Sequence, residues 1–134
     1  MNNDFLDTNL LVYAYSKTEL NKADRANELL FQSNSLISSQ VINEFANVCL
    51  RKLHQPEQSI IAAIHEIARS IRIVGFSLST QLQALRISQK YGFSYYDALV
   101  IATALENNCK SLFTEDMQHN QIIEAQLRII NPFL

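Results

Sequence analysis

The stretch Phe5-Leu6-Asp7-Thr8-Asn9 decides how this chain is read. Two apolar residues run into a carboxylate, a hydroxyl and an amide, and Leu10, Leu11 and Val12 then resume the apolar pattern. The pattern predicts a short buried strand that ends in an acid and passes directly into a helix. Such a junction delivers a charged group to the carboxyl edge of a sheet, where open α/β folds bind their ligands.

Outward from there, strand and helix signals alternate. Leu10–Tyr15 reads as a short helix, and 22–31 as a second with Ala23, Ala26, Leu29 and Leu30 at helical spacing. Ser35–Ser38 is a second buried strand. Ser39 is the expected N-cap of a helix from Gln40 to about His54, with Val41, Phe45, Val48 and Leu53 on one side and Glu44 near its start. Pro56 opens a helix whose stripe is Ile60, Ile61, Ile64, Ile67, Ala68 and Ile71. A third strand begins at Ile71. Thr80 and Gln83 have capping-box spacing for a helix that Gly92 stops after Tyr91. The helix of 94–107 is apolar on most sides and predicted to be buried. Lys110–Phe113 and Leu127–Ile130 are the last strands. The expected fold is a single α/β domain over 1–134, a mainly parallel sheet between helical layers.

Composition agrees with a globular protein: of 134 residues, 48% are hydrophobic and 18% charged. No apolar run approaches the ~20 residues that span a bilayer, and Met1-Asn2-Asn3-Asp4 lacks the features of a signal peptide. Two cysteines, Cys49 and Cys109, read as reduced, partly buried thiols, so a cytoplasmic location is expected. The net charge of −2 supplies no global field towards nucleic acid. A site that holds cations would nonetheless be more positive than the sequence.

Four acids fall at matching places. Asp7 and Asp116 lie just beyond strands, and Glu44 and Asp97 in the first turns of helices, all at one edge of a parallel sheet. Two unit charges ~4 Å apart repel by about 4 kcal/mol at an effective dielectric of 20, so a convergence of carboxylates calls for something positive among them. Oxygen-only ligands point to Mg²⁺ or Mn²⁺ rather than zinc. Each acid also has a plainer explanation. Asp7 fits a helix cap, Glu44 a solvated helix residue, Asp97 a capping box with Ser94, and Asp116 a turn after a strand.

Phe5-Leu6-Asp7-Thr8-Asn9, Gln40-Val41-Ile42-Asn43-Glu44-Phe45, Tyr95-Tyr96-Asp97-Ala98-Leu99 and Phe113-Thr114-Glu115-Asp116-Met117-Gln118-His119 together resemble the PIN-domain nucleases, above all the VapC-type toxins of toxin–antitoxin pairs. The resemblance extends to Asn131-Pro132-Phe133. It implies a PIN-like three-layer α/β/α sandwich and a Mg²⁺- or Mn²⁺-dependent endoribonuclease acting on tRNA or rRNA. It also implies Asp7, Glu44, Asp97 and Asp116 as metal-binding acids, with Asn9 and Thr114 supporting them by hydrogen bonds. A homodimer and a small antitoxin protein partner follow from the same resemblance. Two positions depart from it. Asp4 stands where an aliphatic strand residue is usual, which predicts a first strand that begins late. Asn120 stands where this subgroup often has Gly, and asparagine tolerates a positive φ.

Other residues carry weaker signals. His119 could contact RNA phosphate or a site water, or be a solvated loop residue. His54 and His65 read as helix surface. One of Tyr95 and Tyr96 could stack on a base, with core packing expected for at least one. Arg51, Lys52, Arg86 and Lys90 are candidate phosphate ligands or ordinary helix-surface charges. No Gly-rich phosphate loop, GxSxG elbow or HExxH pattern occurs. The rival readings are a phospho-receiver signalling domain and a PIN-like domain that binds RNA or a partner without catalysis.

Overall fold

The structure of the protein, a computed structural model, describes residues 3–32 and 34–134. The chain runs β1 (Asn3–Leu6), α1 (Thr8–Ala14), α2 (Leu20–Leu30), β2 (Ser35–Ser38), α3 (Ser39–Arg51), α4 (Glu57–Ser70), β3 (Arg72–Val74), α5 (Leu78–Tyr91), α6 (Tyr95–Glu106), β4 (Cys109–Phe113), β5 (Ile122–Ile123) and β6 (Leu127–Ile130). Among the described residues, the strands form one sheet in the order β3-β2-β1-β4-β6-β5. All neighbours are parallel except β5 and β6. Helices flank the sheet as the three-layer α/β/α sandwich that the sequence predicts.

The central strands explain the layering. Phe5, Leu6, Leu36, Ile37, Leu112 and Ile129 are all at most 1% exposed, although successive strand residues face opposite sides of the sheet. Strands that are apolar on both faces need a helical cover on both. Helix α6 supplies part of it, with every residue from Ala98 to Ala104 buried. Helix α5 packs along α6, and α1 against α2 and α3.

The topology places the ligand edge. From β1 the chain builds outward through β2 to β3, then crosses to the other side of β1 with β4. The reversal lies between β1 and β4, and a crevice at the carboxyl ends of such a strand pair is where open α/β sheets take ligands. Asp7 follows β1 and Thr114 follows β4.

Several local expectations need correction. The cap of α3 is Ser38, whose hydroxyl accepts the Val41 N–H at 3.2 Å; Ser39 is already helical. The capping box of α5 is Ser77 with Thr80, one turn before the predicted pair, and the Ser77 N–H donates to Thr80 Oγ1 at 3.1 Å. Leu53 lies beyond the end of α3 and is half exposed, and Cys49 takes the buried place on that face. Ile61 and Ala68 of the α4 stripe are exposed, while Ile60 and Ile67 are buried. His54 is a loop residue with φ +50°, not helix surface. Cys49 and Cys109 are fully buried rather than partly so. Strand β1 does not begin late: Asn3 and Asp4 pair with β4 through a register shift between them. The two-residue β5 escaped the pattern altogether, being too short to show a period. Gly92 ends α5 in the left-handed conformation at φ +81°, and Asn120 takes φ +70°, both as the sequence suggests.

Candidate functional site

Asp7 sits where β1 becomes α1, and is only 6% exposed. Its Oδ1 accepts the Thr8 N–H at 2.8 Å, so it does cap the helix. Its Oδ2 accepts the Thr114 hydroxyl at 2.9 Å across the β1–β4 junction. Thr114 Oγ1 in turn accepts from Asn9 Nδ2 at 3.2 Å and from the Asp116 N–H at 3.2 Å. A hydroxyl has one proton and two lone pairs, so this one is fully used. Asn9 also donates to Asp116 Oδ2 at 3.0 Å and accepts the Glu115 N–H at 3.3 Å. Capping and site-building are thus compatible roles for the same acid.

Glu44 lies on α3, with Thr8 Oγ1 donating to its Oε2 at 3.1 Å and Gln40 Nε2 to its Oε1 at 3.0 Å. Gln40 and Glu44 are a turn apart on one helix face. Asp97 is in the first turn of α6, whose cap Ser94 accepts the Asp97 N–H at 3.4 Å. Asp116 is exposed on the loop after β4. A cleft of about 390 Å³ opens here, lined by Thr8, Asn9, Glu44, Lys52, Leu53 and Asp116 together with Val12, Tyr13 and Val48.

The charges act on one another. Burial pushes the Asp7 carboxyl up to about 6, against the pull of the Thr8 and Thr114 hydrogen bonds, and the charges of Glu44 and Asp97 push it the same way. Burial also raises Asp97, opposed by Ser94 and helped by the charges of Asp116 and Glu44. No cation answers them: the ion pairs among the described residues use Glu115, Glu28 and Glu124.

Those unanswered carboxylates suit a hard divalent cation in chemistry. Among the described residues, however, no three acid, histidine or cysteine side chains converge closely enough to hold one ion between them. The set therefore fits an ion bound through one or two carboxylates that keeps waters and takes a phosphate oxygen, the usual habit of Mg²⁺, rather than a closed protein cage.

The family model for the PIN domain matches residues 5–124, from β1 through the loop that follows β5. The chain belongs to the PIN domain family. Solved structures share the fold. A toxin–antitoxin complex from Klebsiella pneumoniae matches with a TM-score of 0.70 at 21% identity, over 97% of this chain and 98% of that one. The Mycobacterium tuberculosis toxin VapC20, described as cleaving the sarcin-ricin loop, matches with a TM-score of 0.69 at 16% identity, over 85% and 92%. VapBC2 from Rickettsia felis, bound to a DNA fragment from its promoter, matches with a TM-score of 0.67 at 19% identity, over 96% and 98%. No curated protein matches the sequence. Membership in the PIN family sets aside the phospho-receiver reading.

Within this PIN domain, the remaining candidates separate. His119 is exposed, and its Nδ1 accepts the Asn131 N–H at 2.9 Å. Tyr95 packs against the core, whereas Tyr96 is 62% exposed, its ring edge-on to Tyr95 at 5.5 Å. Lys90 is paired with Glu124 and Arg86 bonds Gln83. Lys52 lines the acidic cleft and makes no ion pair among the described residues. The donors to Glu44 are Thr8 and Gln40, and of the two only Gln40, by its four-residue spacing from Glu44, carries a signal in the sequence. Glu115 carries no local signal of its pairing with Lys22.

Proposed function

We propose that this PIN domain is a metal-dependent endoribonuclease, the toxin of a type II toxin–antitoxin pair. The supporting observation is the set of four carboxylates at the switch point, Asp7 and Asp116 joined through Thr114 and Asn9 and all four left without an ion-pair partner among the described residues. Asp7, Glu44, Asp97 and Asp116 would hold Mg²⁺ or Mn²⁺ between them, each ion directly through one or two of the acids, with Asn9 and Thr114 supporting. When bound, the ion supplies Lewis-acid stabilisation of the phosphodiester and lowers the pKa of a water that attacks phosphorus.

The chain's own residues do the rest. Thr8 and Gln40 orient both oxygens of Glu44. Thr114 donates to Asp7 and so favours its ionised form, which a metal ligand requires. Asn9 aims Asp116 into the cleft, where Lys52 is placed to meet a backbone phosphate. His119 is a candidate RNA contact: with Nδ1 accepting from Asn131, neutral imidazole carries its proton on Nε2, free to donate.

An RNA substrate of the tRNA or rRNA class, an antitoxin protein partner and a homodimer belong to this reading, as do a cytoplasmic location and one domain spanning 1–134. The four acids favour catalysis over passive binding, because a docking surface for anionic RNA gains nothing from carboxylates that no cation answers. No helix among the described residues is long and apolar enough to cross a membrane.

The deciding experiment is cleavage of structured RNA by purified protein with Mg²⁺ or Mn²⁺, with chelator, and with Asp7→Asn. Cleavage by the native protein with metal, lost in the other two arms, is the expected result. Undiminished cleavage by Asp7→Asn would refute the mechanism.

A further inference from the structure

Asp116 is the one exposed carboxylate of the four that lies on a loop, so it is only as well placed as that loop. The residues on either side are anchored. Met117 is buried in the core. Glu115 is not among the residues that line the cleft, and its carboxylate takes the Lys22 ammonium on one oxygen and the Tyr13 hydroxyl on the other. Lys22 Nζ also lies 4.7 Å from the centre of the Tyr13 ring and 5.5 Å from that of Phe133. Phe133 meets Tyr13 edge to face at 5.1 Å.

The far end of the loop returns to the same turn. His119 Nδ1 accepts from the Asn131 N–H, and Asn131 Oδ1 accepts the Phe133 N–H at 3.0 Å. The Asn120 N–H donates to the Ile129 carbonyl at 2.7 Å, and the Thr114 N–H to that of Ile130 at 3.0 Å. The acid-bearing loop is therefore closed into a ring through α1, α2 and the turn at 131–133.

We propose that this ring is a positioning element of the acidic site: Lys22, Tyr13 and Phe133 act through Glu115 to hold Asp116 where a divalent cation binds. The inference rests on the reading of the four acids as metal ligands. Its sign distinguishes it from simple electrostatics. Removing a positive charge beside an acidic cluster should strengthen attraction for a cation, whereas losing the position of a ligand weakens it.

The test is Mn²⁺ binding to the intact protein, followed by electron paramagnetic resonance at a temperature where circular dichroism shows each variant folded. Lys22→Met should weaken Mn²⁺ binding by about tenfold, the scale of effect seen when partners of metal ligands are lost, while Lys22→Arg stays within about twofold of the native protein. Combined with Asp116→Asn, Lys22→Met should add little, since both act through one ligand. Should Lys22→Met not fold, Phe133→Leu gives the same readout with the apolar contact kept. Unchanged or tighter Mn²⁺ binding in the folded variant, or fully additive effects, would overturn the proposal. If native protein and Asp7→Asn bind Mn²⁺ alike, it is the metal reading of the acids that fails.

Discussion

The Thr114 hydroxyl donates to Asp7 Oδ2 at 2.9 Å, joining residues 107 apart in the chain. The direction of that bond is forced, because both lone pairs of Thr114 are already taken by Asn9 and the Asp116 amide. Asp7 is thereby required as an acceptor at this oxygen, although burial pulls its carboxyl towards neutrality.

Removing the donor should let burial win. In Thr114→Val the Asp7 carboxyl rises above its value of about 6, so the acid limb of the cleavage profile shifts to higher pH. Thr114→Ser keeps the hydroxyl and should restore the native limb. The measurement is kcat/KM against pH for the three proteins; an unmoved limb in Thr114→Val would show that the bond does not tune Asp7.

Stability in chelator should depend on pH with a definite sign. A carboxyl near 3.8 when unfolded and near 6 when folded ionises first in the unfolded chain. Its contribution to stability therefore falls as pH rises from about 4 to 6, then levels off at a cost of about 3 kcal/mol. Asp7→Asn removes that cost but gives up the Thr114 bond, about 1 kcal/mol. The variant should be more stable than native protein at pH 7.5 by about 1–2 kcal/mol, several degrees in Tm, and should lose that advantage at pH 4. A lower Tm at pH 7.5 would mark Asp7 as structural. Adding Mn²⁺ should raise the Tm of native protein alone, since only a binder of the folded state stabilises it.

Lys52 is tested by salt. If it meets a phosphate, Lys52→Ala should weaken RNA binding in a cleavage-dead Asp7→Asn background and reduce the log–log salt slope by about 0.7–1. Fluorescence anisotropy over a salt series reads both. An unchanged slope would return Lys52 to ordinary surface charge.

Gly92 offers a control remote from the acids. Its φ of +81° strains any L side chain, yet a Cβ there would touch nothing within 4 Å. Gly92→Ala should cost about 1 kcal/mol through the backbone alone and leave kcat/KM at a permissive temperature unchanged. Thermal unfolding and cleavage assays together check both halves.

The stretch from Phe5 to Asn9 proved readable because a strand, its acid and the next helix are all local, and the same holds for Ser94 capping the helix of Asp97. The parallel sheet followed from alternation. What the sequence concealed were side-chain pairings set by the fold, such as Thr8 with Glu44 and Tyr13 and Lys22 with Glu115. Nothing in a hydroxyl or a lysine announces a partner 36 or 93 residues away. The caps fall at Ser38 and Ser77 rather than at Ser39 and Thr80, since neighbouring hydroxyls offer equivalent acceptors until the backbone chooses.

The switch point between β1 and β4 also sets when the site can exist. A chain still on the ribosome that has grown only through α6 carries Asp7, Glu44 and Asp97, but neither Thr114 nor Asp116. Strand β1 then has β2 on one side and an open edge on the other. On the proposed function, the site could not be armed during most of the chain's own translation, and an inhibitor would be needed only once β4 had emerged and docked.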